Sequence, residues 1–271
     1  MVRLFRPLPW LVGLVAVFGI TVWLTLGMHR GLLLSGAIRT KVWPWAPFHP
    51  PVPLTAQVLS DPLWMFVPWM DFTARELRAG RIPLWNPHQE AGVPLLANAQ
   101  SAVGSPLLWP GFLLGVERGW NPTLIAKVLI AFLGTYLWLR DRRRSPPAAL
   151  LGALAVAISG SFIAWLAHPL TLTAAAVPFL LLFGGRFAER ATRRDAAGLF
   201  VSTYVVLSGG HPESAPIVAL LAAAAVAVRS PSFAGFVRTG AVAFLGALLA
   251  APLLLPFVEY LLASEAISGL S

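Results

Sequence analysis

Long apolar runs separated by short arginine-rich breaks dominate the pattern along the chain. Seven runs read as membrane spans, at residues 8–28, 121–139, 147–167, 170–185, 196–210, 215–228 and 239–258. Residues 8–28 carry no charge over 21 positions, which exceeds the usual secretory h-region, so this run reads as a retained signal-anchor helix. Several of the other runs fall short of the ~20 residues that a straight span needs.

A different pattern fills residues 29–120, too long for a plain connection. Asp61-Pro62 reads as an N-cap followed by proline at the first helical position, and Gly80 as the stop of the helix that follows. Pro68 is expected to kink or divide that helix. Its tryptophans suit the membrane interface. Residues 91–116 are uncharged but broken by Pro94, Pro106 and Pro110, and read as an interfacial or re-entrant segment. The expected fold is therefore all-α and integral to the membrane. Residues 1–271 form a single membrane domain of about seven transmembrane helices, and residues 29–120 form a long first external loop within it.

Composition agrees with this reading. The chain is 57% hydrophobic and 11% charged, too little charge to coat a soluble domain. It has no cysteine, which excludes disulfides, thiolate metal sites and cysteine nucleophiles. Charge then orients the spans. Arg3 and Arg6, Arg140 to Arg144, Arg186 to Arg194, and Arg229 with Arg238 all fall on one side if the spans alternate. The positive-inside rule makes that side cytoplasmic, with the N-terminus there too. Twelve of the 20 basic and three of the 11 acidic residues lie on it, which accounts for the whole net charge of +9. The positive charge is thus a topology signal, and no nucleic-acid partner is expected. Membrane lipid is.

The polar residues with chemical potential collect on the opposite, extracytoplasmic face. They include Asp61, Asp71, Arg75, Arg78, Arg81, Asn86, Asn98, Gln100, Lys127, and the His-Pro pairs at His168 and His211, with Glu213 beside the second. Ionisable groups at the mouth of a helix bundle are functional candidates. The plainer alternatives stay open: histidines with wet tips at the interface, Asp61 as a simple cap, and arginines facing headgroups. On one continuous helix Asp61 and Asp71 would stand ~15 Å and ~80° apart, so either Pro68 brings them together or only one matters. No HExxH, Gly-rich phosphate loop or GxSxG motif is present.

The stretch from Asp61-Pro62-Leu63-Trp64 through Gly80-Arg81-Ile82-Pro83-Leu84-Trp85-Asn86-Pro87 to Asn98-Ala99-Gln100-Ser101 resembles the bacterial YfhO-type membrane proteins. Gly210-His211-Pro212-Glu213 and Pro256-Phe257-Val258-Glu259-Tyr260 look like later motifs of the same family. Members are typically longer, so the chain reads as an N-terminal part. The resemblance implies a GT-C-like glycosyltransferase of the bacterial plasma membrane. It would use a polyprenyl-phosphate sugar as donor and an envelope polymer or glycolipid as acceptor, on the extracytoplasmic face. Asp61 would be the catalytic carboxylate and Asp71 the runner-up, with Arg75, Arg78, Arg81, Asn86, Asn98, Gln100, His168, His211 and Glu213 binding substrate. A divalent metal could assist, although no ligand set stands out. Two other classes share the architecture, a lipid-linked sugar flippase or transporter and a non-catalytic assembly or scaffold protein.

Overall fold

The computed structural model describes residues 61–264 together with residues 18–19. The expected first span, 8–28, lies almost wholly outside the described residues; within it, Phe18 stacks on Phe132 with ring centroids 5.1 Å apart. What is described is nearly all helix. A π-turn, Pro62–Phe66, runs into α1, Val67–Arg78. A two-stranded antiparallel ribbon follows, β1 Trp85–Asn86 against β2 Val93–Pro94. Short turns lead to α2, Trp109–Leu114, and then to the bundle: α3 Val116–Asp141, α4 Pro146–Ala157, α5 Gly160–Ala164, α6 Leu170–Arg190, α7 Arg193–Leu207, α8 Ser214–Arg229 and α9 Phe233–Ala263.

Among the described residues, four stretches are long and apolar enough to cross a membrane: α3, α4 with α5, α6, and α9. Helices α7 and α8 reach only about 22 and 24 Å, short of the ~30 Å hydrocarbon core. The expected run 147–167 divides at Ser159, whose hydroxyl caps α5 by accepting the Phe162 amide. Residues 91–116 break into pieces too short to cross, because their prolines remove the amides that a continuous helix needs.

Two expectations around α1 are corrected. Asp61 is not an N-cap, since its backbone is already helical (φ −51°, ψ −37°) and its carboxylate accepts no capping bond. Pro68 does not divide the helix. The preceding turn widens instead, with the Val67 amide donating to the Pro62 carbonyl five residues back, which leaves room for the proline ring. Gly80 does end the helix, at φ +71°. Its amide donates to Leu77 O and that of Arg81 to Glu76 O, closing a Schellman motif.

Helix direction is fixed by one polar cluster. Asp141, at the end of α3, accepts from Arg186 Nε of α6 at 2.8 Å and from Arg229 Nη1 of α8. Arg229 also meets Glu189 at 2.7 Å. The C-terminal ends of α3, α6 and α8 therefore share one face of the bundle. Cations there also oppose the negative ends of the helix dipoles. Gly185 lets α8 come close, because a Cβ on it would stand 2.7 Å from the Arg229 side chain. The Asp141 side chain is 3% exposed and that of Arg229 7%. Replacing Asp141 by Ala would remove the carboxylate that Arg186 and Arg229 share. The expected loss is about 3 kcal/mol, read as thermal unfolding of the purified chain in detergent. A loss within a few tenths would contradict the clamp.

Candidate functional site

The end of the bundle opposite the Asp141 clamp is where the expected site residues gather. Helix α6 starts beside His168 and ends at the clamp, so its 21 residues separate the two ends by roughly 31 Å.

The local chain explains how His168 is placed. Ser159 restarts the helix as α5, which stops at Ala164, and Pro169 then opens α6. The carbonyls of Leu166 and His168 turn toward α3. Lys127 supplies the missing donors from α3. Its Nζ donates to Leu166 O at 2.8 Å, His168 O at 3.0 Å and Thr171 Oγ1 at 3.2 Å. All three ammonium protons are thus engaged, and the lysine is 2% exposed. Thr171 in turn donates to His168 O at 2.8 Å. The His168 ring is wedged edge-on between Phe66 and Trp165. Its Nε2 lies 3.9 Å from Asp61 Oδ2. Asp61 remains 40% exposed, whereas the His168 side chain is 6% exposed. Below the pair lies a small chamber, lined among others by Gln100, Trp120, Lys127 and His168.

Asp71 stands elsewhere. It pairs with Arg75 at 2.8 Å on the outward face of α1. Trp64, Val67, Pro68, Asp71, Phe72 and Arg75 form one helical stripe along an open groove, facing Asn86, His88 and Gln89. Gln89 is positioned by the Trp69 indole, which donates to its Oε1 at 2.8 Å. Because the helix continues through Pro68, the two aspartates stay apart, and only Asp61 meets His168.

The remaining candidates are engaged locally. Arg78 donates to Leu113 O at 3.1 Å, closing the end of α2. Arg81 makes a two-pronged contact with Glu76, at 2.6 and 2.8 Å. Asn86 and Asn98 each accept an amide two residues on, from His88 and Gln100. His211 Nδ1 lies 2.7 Å from Ser214 Oγ and 3.4 Å from Glu213 Oε2. The segment around Ala99 to Gly104 packs against the Gly210 corner and Leu253 of α9. The Tyr204 hydroxyl fastens them by donating to Gly104 O at 2.8 Å.

Among the described residues no three His, Asp or Glu side chains converge as a metal site. Sequence reasoning assigned no role to Lys127. The signal was present, because it is the one charge between Arg118 and Arg140 in an otherwise uncharged run.

The chain matches no protein-family model, and no curated protein or solved structure matches it. The class that the fold defines is a helical protein whose apolar helices suit a membrane, with a polar mouth at one end and an ionic clamp at the other.

Two outcomes follow. Lys127→Met leaves buried carbonyls without their donor and should cost about 2 kcal/mol, measured as thermal unfolding in detergent; an unchanged midpoint would remove the lysine as the tie. The hydrogen bond from Arg81 holds the Glu76 carboxyl below its ordinary value of 4.5. A lowered carboxyl stabilises the fold fully above the unfolded value, and this contribution fades as pH falls through the lowered one. Arg81→Ala should return the Glu76 midpoint toward 4.5, read by NMR of the labelled chain in micelles. A midpoint that stays low would assign the shift elsewhere.

Proposed function

We propose that this chain belongs to a YfhO-type, GT-C-like glycosyltransferase, working at the extracytoplasmic face of the bacterial plasma membrane. The observation that carries the reading is the meeting of Asp61 with His168, 107 residues away in sequence, at the polar mouth of the bundle. In this reading α7, α8 and the run 8–28 are also spans, giving seven crossings with the N-terminus inside. The common face of the ends of α3, α6 and α8 supports that alternation. The arginines around the clamp support a cytoplasmic location for that face.

The chemistry is a substitution at the anomeric carbon of a polyprenyl-phosphate sugar. An acceptor hydroxyl oxygen forms the new bond to that carbon. The bond from carbon to phosphate oxygen breaks, and its electron pair leaves with the polyprenyl phosphate. The Asp61 carboxylate takes the hydroxyl proton, as a general base. His168 is the candidate to meet the phosphate where charge develops. His168 is chosen over Arg75, Arg78, Arg81 and His211 because it is the residue of that set that lies beside Asp61.

The acceptor is an envelope polymer or a glycolipid. A transporter reading would call for ionisable groups open to a path through the bundle. Lys127 is the deepest such group here, and its three protons are spent on the α5–α6 joint.

The test is transfer from a radiolabelled polyprenyl-phosphate sugar in membranes holding equal amounts of the full-length wild-type protein or its Asp61→Asn variant. Transfer should fall at least ~100-fold in the variant. Equal transfer in both would take Asp61 out of the chemistry and favour the scaffold reading.

A further inference from the structure

A second cavity lies away from Asp61, between α6, α7, α8 and α9, and encloses about 1340 Å³ with its open side included. Its walls are apolar and small. Ala215, Ala219, Ala222 and Ala223 line it from α8, and Gly240, Ala243 and Ala247 from α9. Alanine and glycine usually let helices touch, yet α8 and α9 scarcely do. From Ala215 to Val226 the slot follows α8 for 12 residues, or about 18 Å. Thr203 and Thr239 are its hydroxyl-bearing side chains.

The two ends of the slot differ. At the Pro212 end lies the polar mouth. At the other end, the α6 wall of Leu180 and Gly184 continues into Phe187, and Arg238 of α9 sits over that ring, 5.4 Å from its centroid. Arg238 is exposed, as are Arg190 and Arg193 at the same end of the bundle. Arg229 closes the α8 side but is neutralised by Asp141 and Glu189. The slot is thus an apolar, elongated groove with exposed arginines near one end, on the face where the arginines collect.

Length and charge select the occupant. A lipid tail anchored at one face reaches about 15 Å, half of the hydrocarbon core and close to the length of the slot. We propose that the slot binds an anionic phospholipid, with an acyl chain between α8 and α9 and its phosphate on Arg238. The lipid enters from the face opposite Asp61, so this site is separate from the proposed reaction and stands or falls without it.

The test is native mass spectrometry of the full chain in mild detergent, with phosphatidylglycerol or phosphatidylcholine of identical tails. The wild type should retain phosphatidylglycerol about fivefold more than phosphatidylcholine, the value of one surface arginine near an anionic lipid. Arg238→Gln should remove that preference while leaving tail binding. The pair Ala219→Leu with Ala243→Leu should reduce retention of both lipids by filling the slot. A wild type without preference would overturn the proposal, as would a preference that survives Arg238→Gln. If the slot-filling pair fails to fold, the surface change at Arg238 still decides. A slot-filling pair that keeps its lipid but loses a dimer would assign the slot to a second copy.

Discussion

Asp141 is shared by two arginines from two other helices, and the arrangement of the bundle follows from that sharing. A buried carboxylate costs far too much unless it is paired. Here the pairing demands that the last turns of α3, α6 and α8 lie side by side. Once those ends are together, the starts of α6 and α8 must lie at the other end, and with them His168 and His211. The polar mouth is therefore a consequence of the clamp as much as of local sequence. An apolar bundle packed only by leucine and alanine would have little to choose between helix directions, since its faces are alike.

The mouth has its own constraint, the break between α5 and α6. Interrupting a buried helix frees carbonyls that need donors. Lys127 meets this need from a neighbouring helix, and in doing so fixes His168 against Phe66 and Trp165. The lysine and the histidine thus form one arrangement, in which the buried cation stabilises the backbone and the backbone presents the ring. A lysine at this depth would ordinarily attract a functional reading. Its three bonds explain it structurally and turn attention to the residue that it positions.

Much of the helical layout was legible from the chain. The runs near 121–139, 170–185 and 239–258 stand out because lipid and core both select apolar residues, and their breaks carry arginine. Less legible were the joints. The Ser159 break lies inside an apolar run, since a serine can be an ordinary span residue as well as a cap. That Pro68 does not divide the helix was hidden for a related reason: a widened turn accommodates a proline without ending the helix, and no residue type announces it. Asp61 looked like a cap because Asp-Pro is a strong capping pair, yet the helix is already under way at that position. Pairings such as Asp61 with His168 or Asp141 with Arg229 were out of reach, because a single chain records that charges exist and not which helices bring them together.

The two aspartates of the first loop show how far residue type alone carries. Both are acidic, both neighbour aromatic residues, and ten positions separate them. An unbroken helix puts ten residues on different faces. Asp71 consequently turns to the open groove, where Arg75 one turn away neutralises it. Asp61 turns to the bundle, where its neighbour is a buried imidazole held by packing and by the lysine-fastened backbone. The difference between the two is set by a helix that runs on through Pro68, so the local backbone decides which acid meets His168.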